Sequence, residues 1–234
     1  MKGVILDFDT IGPDDLDTSI LLSLPISWQI YGNTSFNEVN ERIRYADVVL
    51  TNKVELSNEN IKQAANLKLI GLFATGTNII DLEAASDKNI CVSNAVAYCT
   101  DSVVQHVWAL ILALTTRIFD YSQAATDGRW ERSNSFCVMD YSVKELAGKT
   151  LGVVGAGELG RAVASVGLAF GMNVKYALFP ERHSFSHDNR LEFKALLQQS
   201  DIVSLHCPLT KDNVNLIDKN CLLYTSDAAD ERRR

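Results

Sequence analysis

Short apolar runs alternate with amphipathic stretches along the first half of the chain. Val4-Ile5-Leu6, Val48-Val49-Leu50, Leu69-Ile70-Gly71-Leu72 and Ile90-Cys91-Val92 are aliphatic, brief and bounded by polar residues, so each reads as a buried strand. Residues 36–44 and 58–65 have helical spacing between them, which gives a parallel α/β layout. Residues 102–119 follow as one long helix whose apolar positions (Val103, Val107, Trp108, Leu110, Ile111, Leu114) exceed a single stripe and predict burial on two sides. A polar connection with several aromatic residues, 127–141, precedes a second alternation: strand 150–154, a helix carrying Leu159, Val163, Val166, Leu168 and Ala169, strand 173–178, helix 191–198 and strand 201–205. The pattern predicts two doubly wound parallel-sheet domains, a flavodoxin-like one over residues 1–95 and a Rossmann-type one over 96–220 that carries three strands. No internal repeat or low-complexity segment interrupts it.

The second alternation carries the most specific chemistry. Strand 150–154 runs directly into Gly155-Ala156-Gly157-Glu158-Leu159-Gly160 and then a helix, the context in which GxGxxG predicts a dinucleotide ligand. Gly155 permits the tight turn, Gly157 admits backbone to a pyrophosphate, and Gly160 lets helix and strand pack. The unpaired N–H groups at the helix start favour the phosphate charge. Strand 201–205 ends at His206-Cys207-Pro208, which should face the glycine loop, because ligands of such sheets lie outside the carboxyl ends of the strands. The acidic residue expected about twenty positions past the loop, which binds the ribose hydroxyls, is missing. Leu178-Phe179-Pro180-Glu181-Arg182 stands there instead: Glu181 is a late substitute and Arg182 could meet a 2′-phosphate, so NAD and NADP both stay open.

Composition narrows the class. A chain of 234 residues, 47% hydrophobic and 22% charged, can bury a substantial core. Its net charge of −7 argues against a nucleic-acid or anionic-membrane surface. The apolar segment 103–114 is too short to span a bilayer. Cys91, Cys99, Cys137, Cys207 and Cys221 are odd in number and lack CxxC spacing, so neither a disulfide framework nor a zinc site is expected and a cytoplasmic location fits. The opening strand has no charged-then-apolar leader pattern.

The acidic opening ILDFDTIGPDDLD offers a competing chemistry. Asp7, Asp9, Asp14 and Asp15 approximate the DxDxGxDD calcium cluster of nucleoside hydrolases, and Asp7-Phe8-Asp9-Thr10 approximates the nucleophile motif of haloacid dehalogenases. Both fail in spacing: Gly12 lies three residues after Asp9 rather than two, and the threonine comes one residue early. A calcium-dependent hydrolase is thus the weaker reading, and a solvated turn after the first strand the expected one.

Several separate segments agree on one family. Ala74-Thr75-Gly76-Thr77-Asn78-Ile79-Ile80-Asp81-Leu82, Ser102-Val103-Val104-Gln105-His106, the GAGELG loop and Ser204-Leu205-His206-Cys207-Pro208-Leu209-Thr210 resemble, in order and spacing, the signature blocks of the D-isomer-specific 2-hydroxyacid dehydrogenases. The blocks TNKV (51–54), ATGTN (74–78), FCVMDY (136–141), ELAGKTLGVVG (145–155) and GELGRAVA (157–164) resemble most the branch acting on glycerate and hydroxypyruvate. The resemblance spans residues 1 to about 220 and implies a nicotinamide-dependent oxidoreductase with a small 2-hydroxy or 2-oxo acid substrate and a homodimer built around helix 102–119. It assigns Thr75 to the nicotinamide side, the backbone N–H groups of Glu158 and Leu159 to the pyrophosphate, and Cys207 and Pro208 to the adenosine side. Ala74, Thr75 and Gly76 would hold the substrate carboxylate through main-chain donors, a sensible anion nest. Lys53 could add a countercharge or be a solvated lysine after a strand, as most lysines are.

The family's substrate arginine, its proton-donating histidine and the glutamate that keeps that histidine charged all lie beyond the HCPLT block, so no catalytic residue is assigned within the chain. His106 and His206 do not match the acid by position and are expected to be packed or hydrogen-bonded. Residues 221–234 read as a non-native tail, since CLLYTSDAADE matches a translated sequencing adaptor and the family pattern stops near Asn220. A catalytically inactive dinucleotide-binding fragment is therefore the alternative reading. Reduction needs a proton and positive charge at the developing alkoxide, so residues 1–234 alone are expected to give no NADH oxidation at 340 nm with hydroxypyruvate. An ordinary enzymatic rate would overturn that placement of the catalytic groups.

Overall fold

A computed structural model describes residues 1–178, 190–210 and 213–223. The chain divides into two compact units, Met1–Tyr98 and Cys99–Arg234.

The first unit is a five-stranded sheet built from β1 (Lys2–Ile5), β2 (Ser27–Ile30), β3 (Val48–Thr51), β4 (Leu69–Leu72) and β5 (Cys91–Asn94). All pairings are parallel and the order is β2-β1-β3-β4-β5, the flavodoxin-like arrangement, whose direction reverses between β1 and β3. Helices α1 (Ser19–Leu22), α2 (Val39–Ile43), α3 (Asn58–Gln63) and α4 (Leu82–Asp87) connect the strands. One continuous core joins Val4, Leu6, Val49 and Ile70 of the sheet region to Val39, Ile43, Ile61 and Ala84 of the helices.

The sequence pattern missed α1, β2 and α4, each only four to six residues long. β2 is the edge strand and mostly exposed, so burial imposes no alternation on it. α4 is marked instead by its cap: the Asp81 carboxylate accepts the Ala84 N–H at 2.9 Å. The segment read as one helix over 36–44 begins as a 3-10 turn, Phe36–Glu38, before α2.

In the second unit β6 (Thr150–Val154), β7 (Asn173–Ala177), β8 (Arg190–Leu191) and β9 (Ile202–Leu205) form a parallel sheet in the order β8-β7-β6-β9. The order reverses between β6 and β9. Helices lie on both faces: Leu151 and Val153 of β6 pack with Trp108, Ile111 and Val163, whereas Val154 packs with Leu196 on the other side. These contacts come from α5 (Thr100–Thr116), α7 (Glu158–Ala169) and α8 (Phe193–Gln199). A last short helix, α9, covers Lys219–Leu223.

The expected single helix over 102–119 is corrected. α5 stops at Thr116, Arg117 takes a left-handed conformation (φ 56°), and α6 (Ile118–Thr126) sets off at 62°. Local chemistry favours the break. The hydroxyls of Thr115 and Thr116 bond back to Ile111 and Leu112 carbonyls, and Arg117 turns its guanidinium onto Asp120 at 2.6 Å. Within α5 only Trp108 and Ile111 are buried, so one face rather than two is covered inside this unit; Leu110 and Leu114 are exposed. No single helix among the described residues is long and apolar enough to cross a membrane; only the bent pair α5–α6 together passes by length and composition.

Trp108 is the anchor of α5. It is 4% exposed, donates Nε1–H to the Val163 carbonyl at 3.2 Å and stacks on Phe170 with ring centroids 5.0 Å apart. Trp108→Ala should cost this unit about 3–5 kcal/mol, read as a lower urea midpoint by circular dichroism.

Candidate functional site

Each sheet gathers its candidate residues at the carboxyl ends of its strands. In the first unit, β3 leads to Asn52, Lys53 and Val54, and the adjacent β4 leads to Ala74, Thr75 and Gly76. The two stretches are neighbours because their strands pair in register, Thr51 opposite Leu72.

The 74–76 loop is held by its carbonyls. The Ala95 N–H donates to the Ala74 carbonyl at 3.2 Å, and the Asn94 side-chain amide donates to the Thr75 carbonyl at 2.7 Å. Among the described residues no hydrogen bond uses the main-chain N–H of Ala74, Thr75 or Gly76. Thr75 and Gly76 are exposed. Donors left free on a braced loop suit an anion, as proposed for a substrate carboxylate. Asn94, which braces this loop, was not singled out from the sequence.

Lys53 is exposed and borders a cavity of about 380 Å³ with Asp7, Thr10, Asn33 and Thr34. The cavity lies where the strand order reverses, outside the ends of β1 and β3, the position at which doubly wound sheets take ligands.

In the acidic opening Asp9, Asp14 and Asp15 are exposed, as a solvated turn requires, and only Asp7 departs from that expectation. Asp7 is 2% exposed, and its carboxylate accepts main-chain N–H groups from Asn52 (2.9 Å), Lys53 (2.6 Å) and Val54 (3.3 Å). Burying a carboxylate is costly unless it is fully hydrogen-bonded, and these donors meet that demand. Asp9 is exposed and accepts from the Asn33 amide, while Asp14 and Asp15 sit exposed in a separate 3-10 turn. The four aspartates thus belong to different environments. Among the described residues no group of three His, Cys, Asp or Glu could hold a metal ion.

In the second unit the glycine loop joins β6 to α7. Gly155 has φ +102°, and a β-carbon there would stand 2.6 Å from the Cys207 nitrogen and the His206 carbonyl carbon. The loop and residues 206 and 207 are therefore brought together, and only glycine permits it. A β-carbon on Gly160 would fall 1.9 Å from the Gly155 oxygen, so α7 can approach the turn only with glycine at that position.

Gly157 differs from both. It lies in extended backbone (φ −73°, ψ −167°), and a β-carbon would meet nothing within 4 Å. The space above it is open, as a cradle for a pyrophosphate requires. The first backbone bond closing α7 runs from the Arg161 N–H to the Gly157 carbonyl at 3.0 Å, which leaves the N–H groups of Glu158, Leu159 and Gly160 without helical partners. The chain's own residues fit a dinucleotide phosphate on these grounds.

Around this loop Thr100 donates its hydroxyl to the Glu158 carboxylate at 2.5 Å. Asn213 braces residues 207–210: its amide donates to the Pro208 carbonyl (2.7 Å), and its side-chain oxygen accepts the Thr210 N–H (2.7 Å). Neither contact was legible beforehand, because Thr100 and Asn213 lie in no recognised motif. His206 is half-buried and hydrogen-bonds Ser204 Oγ at 2.8 Å, in line with a structural role. Burial pushes its imidazole below the ordinary value, favouring the neutral ring. His106 is instead exposed on α5, not packed as expected. Glu181 and Arg182 lie outside the described residues, as do residues 224–234 of the expected non-native tail.

Known proteins agree with this architecture. The model for the NAD binding domain of the D-isomer specific 2-hydroxyacid dehydrogenases matches residues 108–229. A hydroxypyruvate reductase of Blautia hydrogenotrophica is 34% identical, over 97% of this chain and 72% of its own. A glycerate dehydrogenase of Methylorubrum extorquens is 35% identical, over 87% of this chain and 64% of its own. A relative from Haemophilus influenzae is 38% identical and matched over 62% of its length, so the chain spans roughly two thirds of these curated relatives. The solved D-lactate dehydrogenase of Aquifex aeolicus, complexed with NAD and lactic acid, superimposes with a TM-score of 0.78 at 28% identity, over 96% of this chain and 66% of that one. With the fold, the glycine loop and these matches in agreement, the chain belongs to the D-isomer specific 2-hydroxyacid dehydrogenase family.

Proposed function

We propose that the chain belongs to an NAD(P)-dependent oxidoreductase interconverting D-glycerate and hydroxypyruvate, with residues 1–95 as the substrate domain and 96–220 as the nucleotide domain. The observation that carries this reading is the set of main-chain N–H donors left unpaired at 74–76 and at the start of α7, each beside open space or solvent. The names of the Blautia and Methylorubrum relatives support the choice of substrate.

In this reading Gly155, Gly157 and Gly160 shape the phosphate cradle, Glu158 and Leu159 supply N–H donors to it, and Cys207 and Pro208 border the adenosine. Ala74, Thr75 and Gly76 orient the substrate carboxylate, Thr75 also facing the nicotinamide, and Lys53 supplies positive charge. The nicotinamide, when bound, supplies or accepts the hydride. A cytoplasmic setting belongs to the same reading, supported by five unpaired cysteines. The net charge of −7 supports a small acid rather than nucleic acid as partner.

A second copy of this chain is the partner proposed for α5 and the segment C-terminal to it. Leu110 and Leu114 lie one turn apart and are 52% and 76% exposed; Phe119, Phe136 and Met139 are 77%, 96% and 83% exposed. So much large apolar surface in one stretch marks an interface. Light scattering should return twice the chain mass of 25.9 kDa, and Leu114→Lys should return the mass of one chain. A monomer for the unaltered protein would refute the assignment.

The cofactor reading is tested at Gly157. Because a side chain there meets no protein atom, Gly157→Val should leave unfolding within about 0.5–1 kcal/mol of the parent while weakening NADH binding at least tenfold, about 1.4 kcal/mol. Unchanged NADH affinity in a fluorescence titration would show that the loop is not the cofactor site.

A further inference from the structure

Asp7 stands outside the family's signature blocks, yet it is one of only three buried polar or charged residues among those described, with Thr51 and Asn60. It forms no ion pair with any described residue. Its ligands are the three consecutive main-chain N–H groups of Asn52, Lys53 and Val54. A carboxylate offers two acceptor oxygens to these donors, whereas an amide would set its own NH2 group against one of them.

A second tie fastens the same two turns. The Asn52 amide donates to the Thr10 carbonyl (3.1 Å) and hydroxyl (3.0 Å), and Thr10 returns its hydroxyl to the Asp7 carbonyl (2.7 Å). The turn after β3 is thereby locked to the turn after β1, across the reversal point of the sheet. With its N–H groups turned inward to Asp7, the 52–54 turn has its donors filled by the protein itself. Lys53 is left exposed at the cavity rim.

We infer that Asp7 is a positioning residue for substrate binding: by occupying the 52–54 nest it fixes the direction of Lys53 and leaves the parallel nest at 74–76 as the open anion site. This rests on the reading of Lys53 and 74–76 as the substrate side, so the test separates the two. Amide resonances of Ala74, Thr75 and Gly76 in the 234-residue chain are followed by NMR as hydroxypyruvate is added.

Lys53→Met should raise the Kd for hydroxypyruvate at least threefold, and Asp7→Asn should do the same. Asp7→Asn in the Lys53→Met background should add little, because a misdirected lysine cannot matter once it is gone. NADH affinity should be unchanged throughout. No hydroxypyruvate-dependent shift at 74–76, or no effect of Lys53→Met, would sink the substrate-side reading and this inference with it. If Lys53→Met weakens binding but Asp7→Asn does not, or acts equally in both backgrounds, the positioning role alone is wrong. Should Asp7→Asn fail to fold, Asn52→Ala cuts the second tie and is read in the same cycle, with the same dependence on Lys53 expected.

Discussion

In a parallel sheet every strand delivers its carboxyl end to the same edge, and the turns that begin there carry main-chain N–H groups which neither strand nor helix can use. Both units of this protein are organised by what becomes of those donors. Where glycine removes the β-carbon, as at Gly157, the donors at the start of α7 border open space. At 74–76 the loop is held through its carbonyls, and its N–H groups are left over. At 52–54 the donors are consumed by a buried aspartate. In the proposed reading the first two arrangements take anions and the third is closed to them, by the same local electrostatics.

The three glycines of the loop show how one residue type serves different ends. Gly155 is needed for its left-handed conformation and for the approach of residues 206 and 207; Gly160 is needed so that α7 can lie against the turn. Both requirements are internal to the fold. Gly157 satisfies no internal requirement, since a side chain there would meet nothing within 4 Å. Substitution at Gly157 therefore separates the proposed phosphate contact from stability.

Charge is handled by geometry more than by number. Four aspartates within the first fifteen residues suggest a metal cluster or a solvated turn when read along the chain. Folding sends them to different environments, and only Asp7 turns inward, where the turn after β3, 45 to 47 residues later, supplies its donors. α5 teaches the same lesson for apolar residues. Its hydrophobic excess is real, but Leu110 and Leu114 have no cover within their own unit, and the segment bends at Arg117 where the threonine pair weakens the helix.

The sequence by itself determined the class of the fold and most of the nucleotide loop. Buried parallel strands must be short aliphatic runs, and the strand–GxGxxG–helix order imposes steric demands that only those residues meet, so both are written in local pattern. It also singled out Lys53 and 74–76 as candidates, through family resemblance rather than periodicity. Tertiary structure decided what depends on partners distant in the chain: the inward turn of Asp7 onto residues 52–54, the brace of Asn94 on the 74–76 loop, the hold of Asn213 on 207–210, and the short edge strand β2. None of these has a periodic signature, because a hydrogen bond between two turns fixes only the two ends and leaves the intervening sequence free. The break in α5–α6 was decided likewise by side-chain hydrogen bonds at Thr115, Thr116 and Arg117, which compete with helix continuity in a way that hydrophobic spacing does not record.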